Sequence, residues 1–393
     1  VKRQPLAFAD WSGAEYAAMA SCLLRGRVHQ GPNTTLLAQR LAQLYAPSGV
    51  HLTNYGHHAI EIALGLFKRQ RPERTEVIVP AYICPSVVSA VSACGLRVRS
   101  VDVQDDLNMG PADVQAALGP DTLAVIAPHM YGCPARIGEI EALCDAAQVF
   151  LIDDAAQVVG VRQDGRLLGT FGDMGVISFA QSKTIVTGIR GSGGVLLVNR
   201  PAWTAEASRV CTELPPASGR LGALADFLWN HVGHVHTGHS GYYLGRVMSA
   251  LGAVPSTPSA ATQISHLEAG IALAQLDRLD ALLGEKVRIA QAYHQALQRH
   301  PRLRFPQFAP GRFLARVMLL LPEGADMATF RREVLARGVE TRLGYAAQVG
   351  AGEHAPQAES FARRLVGVPC RAGMGQADVD AICAVLDTAL QGV

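Results

Sequence analysis

Between about residues 50 and 200, short apolar runs alternate with stretches of helical spacing, and this alternation narrows the fold more than any other feature of the chain. Residues 76–80 (Glu-Val-Ile-Val-Pro), 96–102, 123–127 and 149–154 read as strands, and 85–94, 110–118 and 137–147 read as helices between them. Strands and helices alternating at this pitch imply a mostly parallel sheet with both faces covered, an α/β fold. In such sheets a ligand sits beyond the carboxyl ends of the strands. Pro80-Ala81-Tyr82, His129 and Asp154 fall at those ends. Farther on, the pattern weakens over 201–260 and resumes as one long amphipathic helix over about 263–300, apolar at Leu267, Ile271, Ala274, Leu279 and Leu282. A strand at 314–321, a helix at 327–337, a strand at 339–343 and a last helix at 376–390 then suggest a smaller α+β domain. We therefore expect a large domain over 1–250, opening with a helical segment at 1–45, and a small C-terminal domain over 251–393.

Composition excludes several classes of partner. The formal charge is +2, which gives little electrostatic drive toward nucleic acid or anionic membrane. Charged residues are 17% of the chain, against an average of about 25%, which fits surface buried in an oligomer. No apolar run reaches the ~18 residues of a membrane span, and the N-terminal residues lack the apolar stretch of a signal peptide. A cytoplasmic protein is expected. The eight cysteines are scattered without a C-x-x-C pair and read as reduced thiols serving as small hydrophobes.

Lysine is scarce: the candidates for any lysine-dependent chemistry are Lys2, Lys68, Lys183 and Lys286. Lys2 is terminal, Lys68 lies in Lys-Arg-Gln-Arg at a solvated helix end, and Lys286 beside Glu285 on the long helix is expected at the surface. Lys183 differs. It follows a short strand ending Ser178-Phe179 and precedes the glycine-rich stretch 187–194, a placement suited to meeting a ligand, although a plain surface loop would look the same. Asp154 ends the apolar run Phe150-Leu151-Ile152 next to Asp153. A carboxylate there is costly unless a cation partners it, and a protonated pyridine nitrogen is such a cation. Pyridoxal phosphate (PLP) needs a Schiff-base lysine, a carboxylate on its ring nitrogen and donors around its phosphate. Gly56 opens a helix, and a helix N-terminus is an anion site, though a plain turn before a helix has the same signature.

At these residues the chain resembles the PLP-dependent sugar aminotransferases of the DegT/DnrJ/StrS type. Residues 26–32 are similar to the family's N-terminal glycine-proline stretch, 76–80 to its "EVIvP", and Asp102 to the end of its "fvDv" strand. His129-Met130-Tyr131-Gly132 is similar to "HlyG", 153–157 to "EDAAQ", Ser178-Phe179 with Lys183 to "SFxxxK", 273–279 to "LaQLerL", and Val368-Pro369 with Gly373 and 378–380 to the closing motif. These motifs keep the family order over nearly the whole chain. The resemblance implies the type I aminotransferase fold and a homodimer with its active site at the interface. It implies Lys183 as the Schiff-base lysine and later acid/base, Asp154 at the pyridinium nitrogen and Gln157 at the 3-oxygen. Ser178 and the backbone at Gly56-His57 would hold the phosphate.

The departures matter as much. The family's Ser-Gly-Thr-x-Ala is here Tyr55-Gly56-His57-His58-Ala59, with His57 either meeting the phosphate or merely packing. The ring-stacking aromatic falls on Cys84, with Tyr82 two residues earlier. The Asn-Tyr-Arg before the long helix is replaced by Ala261-Thr262-Gln263, and the loop after Lys183 offers Arg190 as an anchor for a carboxylate or phosphate. His129 and Tyr131 are further substrate-side candidates. Residues 205–258 form an atypically long insertion with four histidines at 231–239, for which we assign no metal, since no acidic or cysteine partner is near. The expected reaction is transfer of an amino group from an amino-acid donor, glutamate by analogy, to a keto-sugar or other carbonyl intermediate of biosynthesis. The competing readings are a PLP enzyme of the same fold diverged to elimination or other α/β-carbon chemistry, and a non-catalytic regulator.

Overall fold

The computed structural model describes residues 3–6, 9–188, 193–225, 228, 260–298, 300, 302–350 and 353–391. Two helices come first, α1 (Gly13–Leu24) and α2 (Asn33–Tyr45). Ser12 starts α1 with a reciprocal cap to Glu15, which satisfies helix-end N–H groups that would otherwise be orphaned. The main sheet then builds up in the expected alternation. Its order is β1 (Gly49–Thr53), α3 (Gly56–Gln70), β2 (Glu76–Pro80), α4 (Pro85–Ala93), β3 (Arg97–Val101), α5 (Pro111–Ala117), β4 (Thr122–Pro128), α6 (Ile137–Ala147) and β5 (Phe150–Asp154). A two-stranded ribbon follows, β6 (Arg162–Gln163) and β7 (Arg166–Leu167), then β8 (Met174–Ser178), β9 (Gly194–Val198) and α7 (Thr204–Thr212).

The seven strands lie in the order β1-β9-β8-β5-β4-β2-β3. Pairing is parallel from β8 through β5, β4 and β2 to β3, and β9 alone runs against its neighbours. The period of two explains why these strands read as continuous apolar runs. Val77, Val79, Ala124, Ile126 and Ile152 enter one core with Leu64 and Phe67 of α3. Ile78, Val125, Ala127 and Leu151 enter the core on the opposite face with Ile137 and Ile140 of α6. Each fully buried valine, leucine, isoleucine or phenylalanine side chain among these contributes about 1.5–3 kcal/mol.

The expected single helix over 263–300 is two helices, α8 (His266–Leu276) and α9 (Leu279–Leu297). Arg278 leaves helical geometry between them, and its Nε donates to Glu15 Oε1 at 2.9 Å. The break has a packing cause. The first helix packs on α1 and α2, while the second packs on the C-terminal helix. One straight rod could not serve both. The passage into the second unit thus lies at Asp277-Arg278. That unit contains β10 (Val317–Leu320), α10 (Met327–Ala336), β11 (Arg342–Leu343), α11 (Pro356–Arg364), β12 (Leu365–Val368) and α12 (Gln376–Leu390). Its sheet runs β10-β12-β11. The helix Pro356–Arg364 and the central strand β12 had no sequence expectation, and the strand foreseen at 339–343 shrinks to Arg342–Leu343.

Lys286 is a correction to the surface placement. Its ammonium is buried and lies 2.7 Å from Asp10 Oδ2. Asp10 also accepts from the Ala372 N–H at 2.7 Å, so this pair ties the N-terminal segment to the C-terminal unit. Among the described residues no helix is long and apolar enough to cross a membrane.

Candidate active site

Three parallel strands end at one cavity of about 410 Å³, lined by Pro128 of β4, Asp154 of β5 and Ser178 of β8. This is the carboxyl edge of the sheet, where open α/β folds place ligands. Gly56, His57, Cys84, Gln157 and Lys183 line the same cavity.

One end of the cavity is built from α3 and β8. Tyr55 precedes α3 in extended conformation and gives no side-chain cap, which leaves the first helical N–H groups for an external acceptor. Gly56 lies so close to β8 that a Cβ there would stand 3.0 Å from Ser178 Cβ. A Cβ on Gly194 would stand 2.3 Å from the Tyr55 carbonyl carbon, so both glycines serve close backbone approach. Asn54, just before the helix, takes the Thr262 N–H at 3.1 Å and donates to the Ala260 carbonyl at 3.2 Å. The stretch 261–263 therefore braces the turn that leads into α3 of the same chain.

Asp153 and Asp154 occupy opposite faces of β5. Asp153 faces away from the cavity and is fully used: it takes His129 Nε2–H at 2.7 Å, Gly169 N–H at 2.6 Å and Phe171 N–H at 3.1 Å. Asp154 lines the cavity with one hydrogen bond, from Ala156 N–H at 3.0 Å. Burial pushes its pKa up, and the charge of Lys183 pulls it back. A buried carboxylate with one neutral bond wants a cation. Nearby, Gln157 Oε1 is buried without a hydrogen-bond partner. Both atoms fit a bound group that presents a protonated ring nitrogen and a second polar edge.

Lys183 is placed by its loop. Ser182 before it sits at φ 61°, in the left-handed region that costs a non-glycine residue about 1–3 kcal/mol. Thr184 Oγ1 donates to the Gln157 carbonyl at 3.0 Å. Buried Gln275 takes Val186 N–H at 2.9 Å and returns a bond to the Val186 carbonyl at 2.8 Å, which accounts for the glutamine in the "LaQLerL" stretch.

Other sequence-predicted residues stand elsewhere. His129 is fully buried behind the cavity, with Nδ1 accepting from Ala135 N–H at 3.0 Å, so Nε2 carries the proton toward Asp153. Tyr82 and Tyr131 are fully buried and share a hydroxyl contact of 3.0 Å. The Tyr82 hydroxyl also takes Tyr345 N–H at 3.0 Å, and Tyr131 stacks on Tyr345 at 5.4 Å between centroids. The tyrosines thus seat the C-terminal unit against the large sheet and put Tyr345 into the lining. Arg190 and the histidines at 231–239 lie outside the described residues. Two arginines not foreseen from sequence, Arg316 and Arg342, stand beside Lys183 instead.

His57, His58 and Glu61 each bring a ligand atom within 4.8 Å of one another. The group sits at a helix N-terminus, whose partial positive charge favours an anion over a cation. Burial lowers the His57 pKa, and burial with His57 alongside holds His58 at about 4. His58 therefore stays neutral in the fold, donating Nδ1–H to Asn54 at 2.6 Å. Below the ordinary value near 6.5 the unfolded chain takes up a proton at this site that the folded one refuses. Stability is thus expected to fall as pH drops from about 6.5 toward 4, with no further loss from this group below. Thermal melts across that range, in parent and His58→Gln, test this: a variant with an unchanged slope would remove His58 as the cause.

The family model for the DegT/DnrJ/EryC1/StrS aminotransferases matches residues 11–387. The chain belongs to this family. A GDP-perosamine synthase of Vibrio cholerae is 30% identical over 150 residues, 38% of this chain and 40% of that relative, so the match spans well under two thirds of the relative. Helicobacter pylori PseC, an aminotransferase involved in the biosynthesis of pseudoaminic acid, superposes with a TM-score of 0.80 over 100% of both chains at 14% identity. The E. coli GDP-4-keto-6-deoxy-D-mannose-3-dehydratase with bound hydrated PLP superposes with a TM-score of 0.76 over 98% of this chain and 99% of that one, at 18% identity. The fold is that of the type I PLP enzymes. DegT/DnrJ/EryC1/StrS enzymes are PLP-dependent, and PLP is the cofactor of this one.

Proposed function

We propose that the protein is an aminotransferase that moves an amino group from an amino-acid donor, glutamate by analogy, to a keto-sugar or another carbonyl intermediate of biosynthesis. One observation carries the reading: Lys183, Asp154 and the open N-terminus of α3 converge on one cavity. These are the nucleophile, the counter-charge and the anion site that the cofactor requires. When bound, PLP supplies an electron sink for the carbanion formed at the substrate carbon.

The protein's part follows from its residues. The α3 N–H groups, with Ser178 and His57 beside them, hold the phosphate. Asp154 keeps the proton on the ring nitrogen. Gln157, whose Oε1 has no hydrogen-bond partner, would turn its side-chain amide to the cofactor's 3-oxygen and donate Nε2–H to it. Lys183 would anchor the cofactor, and its Nζ, once released, would take the proton from the substrate α-carbon as base and deliver it as acid to the cofactor carbon that carries the nitrogen, a role worth about 10²–10⁴-fold. Cys84 lines the cavity as a small soft side chain where the family has an aromatic ring, which leaves more room there. In the same reading the protein is a cytoplasmic homodimer, supported by its low charged fraction and by exposed Leu24 and Leu36 on the two N-terminal helices.

The second reading, divergence to elimination or other α/β-carbon chemistry, is motivated by His57 and Cys84 in the lining; retention of Lys183 counts against the dehydratase version of it, in which a histidine replaces the lysine. Single-turnover reaction of the holoenzyme with glutamate separates the two. Transamination predicts one equivalent of 2-oxoglutarate and of the amine form of the cofactor per site. If no amino acid yields either product, the transamination reading is wrong.

A further inference from the structure

His57 lines the cavity where the family motif has a threonine, so this chain puts a group that can change charge where a hydroxyl cannot. Its ring packs on those of Tyr55 and His58, with centroids 4.7 and 4.3 Å away. Neither of its nitrogens has a hydrogen-bond partner among the described residues. The adjacent histidine is not equivalent, because His58 commits Nδ1–H to Asn54 and stays neutral. Glu61, one turn further along α3, holds a carboxylate oxygen within 4.8 Å of a ring nitrogen of each histidine. Opposing influences meet at His57. Burial lowers its pKa, and the positive end of α3 acts in the same direction. The Glu61 carboxylate acts the other way, although burial raises its own pKa. Beside Glu61, burial pushes the Cys94 thiol up to about 11, so it adds no charge. The other titratable or charged groups on the cavity wall are Tyr55, Cys84, Asp154, Lys183, Arg316 and Tyr345. A phosphate ester brings a charge of about −1.5 to −2 at neutral pH, more than any one of these groups carries.

We infer that His57 takes up a proton from solvent as the cofactor phosphate docks, and that the imidazolium so formed, paired with Glu61, makes the phosphate grip of this chain sensitive to pH. The inference rests on the reading that α3 holds the phosphate; it does not depend on transamination. A neutral imidazole has one N–H, whereas the imidazolium has two, one for the phosphate and one for the Glu61 carboxylate. A hydrogen bond between charged partners is about twice as strong as one between neutral partners. The sign follows from linkage. The phosphate raises the His57 pKa above its value in the cofactor-free protein, which burial keeps below the ordinary one. Affinity for the cofactor is therefore complete at low pH and is lost as pH rises between those two values. A threonine at this position would give no such dependence.

Calorimetric titration of the full chain, stripped of cofactor, with PLP in buffers of different ionisation heat counts the protons exchanged. At neutral pH the parent is expected to take up roughly 0.5–1 proton per site more than His57→Gln, with Glu61→Gln in between. From about pH 6.5 upward, the dissociation constant of the parent should rise relative to that of His57→Gln by up to about tenfold per pH unit. Carbon-13 labelling of the histidine rings reads the charge without any variant: one ring is expected to move from the neutral to the charged position when PLP is added to the parent, and that resonance should be missing from His57→Gln. Equal proton uptake in parent and His57→Gln, or a parent in which no histidine ring gains charge with the cofactor, overturns the inference. Pyridoxal, which lacks the phosphate, is the second titrant. If PLP binds the parent no more tightly than pyridoxal does, the phosphate reading falls and the inference with it. If PLP is favoured but brings no extra proton, that reading stands and the inference alone falls.

Discussion

Replacing Lys183 by alanine is expected to lower single-turnover amino transfer by at least about 10³-fold and to abolish covalent attachment of the cofactor to the protein. Borohydride trapping followed by peptide mass analysis reads the second effect directly: parent protein should carry a cofactor-sized addition on the peptide containing Lys183. The size of the effect follows from the site's economy. Lys68 donates to the Cys94 carbonyl at a helix end and Lys286 is engaged with Asp10, so neither reaches the cavity. Asp154 would also lose the charge that opposes its desolvation. Asp154→Asn makes the complementary comparison: it keeps the shape, removes the counter-charge, and should leave attachment intact while slowing transfer. Trapping at another lysine, or retained turnover in Lys183→Ala, would end the assignment of Lys183.

The largest stability effect is expected from Lys286→Met, at about 3–5 kcal/mol. The ammonium is buried against Asp10 and the Cys370 carbonyl, so its removal leaves a carboxylate stranded in a nearly closed site. Removing both charges, as Lys286→Met with Asp10→Asn, should recover part of the loss, because the stranded group is then neutral. Denaturant unfolding at neutral pH measures both. Equal midpoints for Lys286→Met and parent would show that the pair contributes nothing. The contact joins residues 10 and 286, which explains why the sequence pointed the wrong way. A lysine beside a glutamate on an amphipathic helix looks solvated when the partner lies hundreds of residues away.

The same physics sorts what was legible in the sequence. The strands of the main sheet could be read because they are buried on both faces, and Val77 to Val79 or Ala124 to Ala127 leave a continuous apolar signature. Gly56, His57, Cys84, Asp154, Gln157, Ser178 and Lys183 could be grouped because they lie at or just beyond strand ends on one edge of the sheet. His129, Tyr82 and Tyr131 carry the same positional signal. Only tertiary contacts show that His129 turns to Asp153 within the large unit and that the two tyrosines pack against Tyr345 of the second, with their polar atoms already satisfied. Arg316 and Arg342 were missed because they come from the second unit. A signal did exist: Arg316 interrupts the apolar stretch from Phe313 to Leu321, with no acidic residue within four positions. The helix break at Arg278 left no mark in periodicity, since both helices keep apolar faces and differ only in what those faces meet.

Asp153 and Asp154 have the same side chain and differ only in parity along β5. One is an internal strut for the loop at 169–171, and the other faces the cavity. Inserting or deleting a single residue between Phe150 and Asp153 would change no chemical group, yet it would exchange the two tasks. The pairing of β5 with β4 and β8 on either side forbids such a slip. The electrostatics of the cavity are therefore guarded by the hydrogen-bond ladder of the sheet, and a mutation that loosens that ladder could silence the site without touching any residue in it.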